Sequence, residues 1–466
     1  MSAETPTSSI TGYDPGADLP RTAAMTRVFS TRAFFRLWLS QLTSSLGDWI
    51  GLIAILAIAA RVSNNSGAAV SLVMVARVVP GFFLATVGGV IVDRFDRRKV
   101  MVVSDIGRAS LLVALPFVDT LAGLVLVSFA MEVFSLLYGP AKDASVPHLV
   151  PAPRLASANS LGLVAAYGTF PFASIAFSLL TILATWLGDF ESLSALEFNS
   201  ETLALWLDAM TFLVSASILW RLPLPARERG ADRQVDLTST LREMVEGFRF
   251  IRQERVVRAV IIGLGIGLIG GGAMIPLGPV FATEVLGGDA ATFGLLMTAL
   301  GVGAAIGIVT LLTVQRHLPR QAVFSATVMA TGISIVLAAS FSNTPPAALF
   351  AALTGAFAGS GYVTGFSLLQ EEVADELRGR TFAALYSVVR LCLLISLTVA
   401  PLFSDVFEWL SGLLFGDHEI ELAGAAYAVN GVRVTLWAGG LLTFAAGLWT
   451  SRAVRRAHLA LEGDGG

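Results

Sequence analysis

The sequence predicts an all-α membrane protein, with twelve transmembrane helices in two pseudo-symmetric six-helix bundles. Three observations carry that expectation. Hydrophobic residues make up 55% of the 466 positions and charged residues only 14%, with a mean hydropathy of +0.74, whereas a soluble chain carries about 25% charged residues. Apolar runs near the ~20 residues that cross a bilayer recur twelve times along the chain. The longest internal polar segment, 223–255, follows the sixth run and leaves six on either side.

Taken in order, residues 1–33 are polar and rich in Ser, Thr, Pro and Gly, the composition of a disordered cytoplasmic tail without the apolar core of a leader. The first bundle, 34–222, contains runs at 37–60, 69–92, 100–118, 121–138, 158–187 and 203–220. Pro80 has no amide hydrogen to continue the helical ladder, which predicts a kink in the second run. Only Asp119 and Thr120 part the third run from the fourth. Segment 223–255 is read as a cytoplasmic linker. Within it Leu241, Met244, Val245, Phe248 and Ile251 recur at helical spacing opposite charged residues, predicting a helix on the inner membrane surface. The second bundle, 256–450, contains runs at 256–281, 291–314, 322–341, 347–368, 381–403 and 434–450, and 451–466 is a cytoplasmic tail. Gly270, Gly271 and Gly272, followed by Pro276 and Pro279, predict a bend in the seventh run. Glycines four apart, such as Gly303 with Gly307 and Gly355 with Gly359, make flat stripes where helices approach closely. The entries to the fifth and eleventh runs echo each other weakly, through Val150 to Arg154 and Val373 to Arg378.

Charge orients the bundle. With the amino terminus inside, 26 of the 31 Lys and Arg fall in inner segments and only Arg61 and Arg433 in outer loops, which lean acidic. By the positive-inside rule the chain is a multi-pass protein of the cytoplasmic (inner) membrane with both termini cytoplasmic. Its expected partners are the lipid bilayer and a small-molecule substrate, with no nucleic acid, and the chain is expected to act as a monomer. The net charge of -3 says nothing about nucleic acid, since the distribution of charge along the chain matters more than its sum, and the single cysteine, Cys392, excludes an internal disulfide. The histidines at 148, 317, 418 and 458 are scattered, so neither a metal site nor catalytic residues are expected. The G-x-x-x-x-G-K-[ST] nucleotide loop does not occur, and no cofactor is expected.

Function should lie with ionisable groups inside the runs, where a central charge costs at least ~2.5–3.5 kcal/mol unless it is paired or hydrated. These are Asp48, Arg77, Asp105, Arg108, Glu132, Asp208 and Arg390. Asp105 and Arg108, three apart on one helix, are read first as a local ion pair. Asp208, a turn into the sixth run from outside, is read as hydrated. Asp48, Arg77, Glu132 and Arg390 are the candidates for a working cavity. Desolvation penalises the ionised form of a carboxyl, so Asp48 or Glu132 is equipped to exchange a proton near neutral pH. The structural alternative is a fixed Asp48–Arg77 salt bridge between neighbouring helices.

One charged string names a family. From Gly89 to Arg98 the chain reads G-x-x-x-D-R-x-D-R-R, with Asp93, Arg94, Arg97 and Arg98 at the inner end of the second run. It resembles the loop signature of the major facilitator superfamily of secondary transporters, with Asp96 at the position of the family's second glycine. Further strings resemble the bacterial efflux branch that includes siderophore exporters and macrolide pumps. They are Arg36 to Gln41 with Gly47, Asp48 and Trp49; Val150 and Pro151 with Ala158 and Asn159; Leu207, Asp208, Ala209 and Phe212; and Leu377 to Arg380. The resemblance implies the major facilitator fold and a gating charge relay of Gly89, Asp93, Arg94, Arg97 and Arg98, with Asp143 as a further member. It implies alternating access and efflux of an amphipathic or apolar small molecule against inward proton flow, the proton gradient supplying the energy. Uptake, or movement of lysophospholipid between leaflets, fits the same architecture. A non-transporting membrane sensor or scaffold is the reading of a different class.

Overall fold

The computed structural model describes residues 28–81, 95–151, 154–188, 199–224, 249, 251–314, 319–373, 375–415, 419–422 and 425–463. The first bundle comprises α1 (Arg32–Val62), α2 (Gly67–Val78), α3 (Arg97–Ala114), α4 (Leu121–Leu149), α5 (Leu155–Tyr167), α6 (Phe170–Gly188) and α7 (Ser200–Trp220). The second comprises α8 (Arg255–Gly272), α9 (Met274–Val280), α10 (Ala290–Val314), α11 (Arg320–Ser340), α12 (Thr344–Glu372), α13 (Asp375–Phe415) and α14 (Gly431–Gly463). Eleven described spans are long and apolar enough to cross a membrane, and with the shorter apolar α2 they coincide with the twelve runs of the sequence. Of the linker helix expected after residue 223, only its end is among the described residues, where 251–253 are helical and Ile251 is buried.

Side-chain caps set several helix starts. Thr31 Oγ1 accepts from the Phe34 amide and donates to the Leu149 carbonyl at 2.8 Å, fixing the first turn of α1 to the last of α4. Asp96 accepts from the Lys99 amide at 3.1 Å and so caps α3. A carboxylate is therefore useful where the superfamily has glycine, because it satisfies a free amide and complements the helix dipole.

Prolines decide where runs break. The fifth run is two helices, α5 and α6, where one was expected. Pro171 cannot donate to the Tyr167 carbonyl, and α5 stops there, with Gly168 as its cap. The seventh run breaks at Ala273 for the same reason, since Pro276 cannot donate to Gly272, and it ends in a π-turn at Phe281–Val285. That interruption directly follows the triple glycine where a bend was expected. In the second run α2 ends at Val78, two residues before Pro80.

Two elements outrun their apolar signals. α4 continues from the expected end at 138 to Leu149 with Pro140 and Pro147 inside it, and α13 is one helix of 41 residues. Asp405 and Glu408, expected in an outer loop, are therefore on helix α13. An antiparallel hairpin follows, β1 (Glu419–Leu422) with β2 (Ala425–Ala428), pairing Ile420 with Tyr427. Hydropathy locates the stretch that lipid requires, whereas helix continuation depends on local hydrogen bonding, so the two need not end together.

The helix starts and ends define two faces. The amino terminus of α1, the end of α7, the start of α8 and the end of α14 share one face, here the terminal face. The α1–α2 turn and the hairpin lie on the opposite, far face. In the far half a single hydrophobic core joins both bundles, including Ile55, Val73, Phe177, Leu277, Phe293 and Val432. In the terminal half the core divides, one part around Phe34, Met101 and Leu219 and the other around Val260, Phe324 and Leu368. The bundles are thus joined at the far face and packed separately at the terminal face.

Candidate functional site

The ionisable residues predicted inside the membrane converge on the first bundle. α7 packs against both α1 and α3 there. Arg108 on α3 lies at their centre, 3% exposed, with its Nη2 donating to Asp105 Oδ1 at 2.5 Å and its Nη1 3.7 Å from Asp48 Oδ2 on α1. Asp105 is fully buried and its second oxygen accepts from Ser215 Oγ of α7 at 2.6 Å. The guanidinium also lies over two rings, 4.0 Å from the Phe212 centroid and 4.8 Å from that of Tyr138. Two carboxylates and two aromatic faces together replace the hydration that Arg108 loses.

The expected Asp105–Arg108 pair is therefore present, and it extends to Asp48. The Asp48–Arg77 salt bridge is not formed: Asp48 approaches Arg108 instead, and Arg77 Nη1 is buried without a hydrogen-bond partner. Arg108, well inside α3, reaches Asp48 where Arg77, one residue from the end of α2, does not. Asp48 retains an exposed flank, its side chain 37% accessible. Asp208 is not hydrated as expected but 1% exposed, wedged between α7 and α1. Glu132 on α4 stands beside Gly81, its carboxylate oxygen 3.7 Å from where a Cβ there would be. Arg390 lies on α13 of the second bundle, away from this cluster, and its side chain is outside the described residues.

Only part of the charge string is described. Gly89, Asp93 and Arg94 lie outside the described residues, and Arg98 stands in the first turn of α3. Arg97 donates to the Ala144 carbonyl at 2.9 Å, binding the start of α3 to the end of α4. Asp143 is 73% exposed and pairs with its neighbour Lys142 at 3.1 Å. Among aromatics of the first bundle, Phe172 is 65% exposed, while Phe170 packs edge-on against Trp49.

Polar contacts that sequence reasoning missed close the far face across the bundles. Asp405 of α13 accepts from the amides of Gly67 and Ala68, each at 2.8 Å, at the amino terminus of α2. The Asn64–Asn65 turn, both residues at positive φ, aims that terminus at α13. Ser71 donates to the Thr398 carbonyl, and on the opposite flank Thr298 of α10 bonds to Ser178 and to the Ser174 carbonyl of α6. Above this closure is a cavity of about 270 Å³ lined in part by Asn64, Glu284, Asp405 and Glu408. No periodicity announces such contacts, because each joins residues more than a hundred positions apart. Asp405→Ala removes a capping carboxylate worth about 1–2 kcal/mol, so spin labels at Asn64 and Leu413 should shift to longer distances. An unchanged distance distribution would show that Asp405 does not hold the far face shut.

Comparison with known proteins places this geometry. The family described as transmembrane secretion effectors matches residues 24–395. The macrolide efflux protein A of Streptococcus pyogenes is 24% identical over 420 residues, covering 86% of this chain and 96% of the relative. The multidrug efflux pump Tap of Mycolicibacterium fortuitum is 23% identical over 354 residues, covering 74% and 83%. The MFS-type transporter YfiS of Bacillus subtilis is 31% identical over 214 residues, 46% of this chain, and the match spans about half of that relative, 48% of its length. Among solved structures, the nucleoside transporter NupG superposes with a TM-score of 0.62 at 14% identity, covering 91% of this chain and 99% of that one. A bacterial homologue of the human lysosomal transporter Spinster, inward-facing and occupied, gives 0.66 at 14%, covering 91% and 97%.

Proposed function

Since the chain belongs to the transmembrane secretion effectors of the major facilitator superfamily, we propose that it is a proton-coupled exporter of amphipathic or apolar small molecules, working by alternating access across the cytoplasmic membrane. The observation that carries this reading is the one-sided closure. One hydrophobic core spans both bundles at the far face, and two separate cores stand at the terminal face. Rocking about a central site requires contacts that form on one side at a time. With the arginine-rich terminal face in the cytoplasm, this conformation is the inward-facing member of the cycle. The Asp48–Arg108–Asp105 cluster supports coupling, because its one exposed acid can take up a proton from the aqueous side and loosen a buried network. Efflux by the macrolide and multidrug relatives supports the direction and the class of cargo. Asp93 and Arg97 act in this reading as a relay at the terminal gate, Arg97 keeping α3 and α4 together as the gate closes.

The test uses the full chain in proteoliposomes under an imposed pH gradient, with radiolabelled erythromycin and ethidium as probes. Gradient-dependent movement of either probe, abolished by a protonophore, is the expected result. Fluxes equal to those of empty vesicles for both would overturn the reading. Sidedness is checked separately. In a Cys392→Ala background, Asp119→Cys at the far face should react with an impermeant maleimide added to whole cells, and Glu254→Cys at the terminal face should not. The reverse pattern would invert the proposed orientation.

A further inference from the structure

Asp208 is a buried acid that the Arg108 cluster does not use. Its carboxyl fits a slot in α1 made by Gly47 and Gly51. A Cβ at Gly47 would lie 2.3 Å from Oδ1, and one at Gly51 would lie 2.1 Å from Oδ2. Oδ1 has one weak partner, Thr211 Oγ1 at 3.4 Å, and that hydroxyl already donates to the Asp208 carbonyl at 2.7 Å. Oδ2 is buried with no hydrogen-bond partner.

The charged groups that face Asp208 come from three helices: Asp48 on α1, Arg77 on α2, and Arg108 on α3 with its bound Asp105. Asp48, Asp105 and Asp208 outnumber Arg77 and Arg108 by one, and Arg108 is taken by Asp105 and Asp48. One carboxyl of this set is thus left without a bonded cation. Asp105 has both an ion pair and a hydroxyl donor, and Asp48 has an ion pair and an exposed flank. Asp208 has no ion pair and no exposed flank, only the long Thr211 contact, and an ionised carboxylate so poorly partnered in a dry site is the least stable form it can take.

We propose that Asp208 is a proton-storage site of the transport cycle, held as the neutral acid between α1 and α7 while the far face is closed and ionised against Arg77 when the bundles rearrange. The proton passes from the Asp208 carboxyl to the Asp48 carboxylate next to Gly47, and from there through the exposed flank of Asp48 to water. The electron pair stays on Asp208 and is then met by the Arg77 guanidinium, whose Nη1 is also buried and unpartnered. The site explains why α1 carries two glycines four residues apart beside its one acid: any larger side chain would fill the slot. The inference rests on the proton-coupled reading above, and its test is separable from that reading.

Infrared spectroscopy of the purified full chain at neutral pH should show a protonated-carboxyl C=O band that is missing from Asp208→Asn. Identical bands in the two proteins would overturn the proposal without touching the transport reading. Should Asp208→Asn fail to fold, Asp48→Asn labelled with ¹³C at aspartate side chains carries the test. A protonated aspartate band that survives there, shifted by the label, is expected, and its absence overturns the proposal. In proteoliposomes with erythromycin and ethidium, Asp208→Asn should lose gradient-driven accumulation and keep counterflow exchange. Full gradient-driven accumulation in that variant would likewise overturn it. Failure of the wild type to move either probe would sink the transport reading, while the infrared result would still decide the state of Asp208.

Discussion

Arg108→Met is expected to destabilise the protein by about 3–5 kcal/mol, the cost of stripping one partner from a buried ion pair. The substitution leaves Asp105, fully buried, with only Ser215 as a partner, and removes the cation that Tyr138 and Phe212 enclose. Asp105→Leu alone should be comparably damaging, because it leaves the guanidinium with the more distant Asp48 at 3.7 Å. The double variant Asp105→Leu/Arg108→Met should recover much of the loss, since an apolar pair of similar volume needs no compensation. Thermal unfolding in detergent reads all three. Melting of Arg108→Met close to that of the wild type would mean that this network does not hold α3 to α7.

Asp48→Asn should have a large effect of the opposite kind, on transport and not on the fold. Its contact to Arg108 is long and its side chain partly accessible, so its loss should cost no more than about 1 kcal/mol, and the Arg108–Asp105 pair remains. Accumulation of erythromycin or ethidium driven by a pH gradient should disappear, while counterflow persists, because asparagine imitates the protonated acid permanently. Glu132→Gln should leave coupling intact if Asp48 is the aqueous entry to the network. Undiminished gradient-driven transport in Asp48→Asn would remove Asp48 from the proton path. Poor expression with low melting would mark it instead as a structural residue.

How far the site was legible depended on the distance over which each contact acts. Asp105 and Arg108 are three residues apart, and helix geometry alone brings them together, so that pair was readable from spacing. The partner of Asp48 was not. Arg77 and Arg108 are both arginines in neighbouring spans, and only the packing of α7 against both α1 and α3 decides between them. Asp208 was misjudged because depth in the membrane was used as a guide to hydration. What dries its carboxyl is the glycine slot on α1, a feature of two helices at once. The same limit applies to Asp405: its place just beyond the eleventh apolar run pointed to an outer loop, while its capping of α2 depends on a contact between bundles.

Sequence by itself determined the membrane class, the twelve apolar runs, the break after the sixth and the excess of arginine on one face. Each is a local or additive property: hydrocarbon demands ~20 apolar residues per crossing, proline removes a donor wherever it stands, and cationic loops are retained in the cytoplasm. Only the tertiary structure decided which acid meets which base, that α13 runs on to cap α2, and that the bundles share one core at the far face and part at the other. Those outcomes are set by helix packing. Lipid favours burial of no one polar pair over another, so the choice falls to side-chain fit at glycine-lined seams and to desolvation of each charge once the seam has closed.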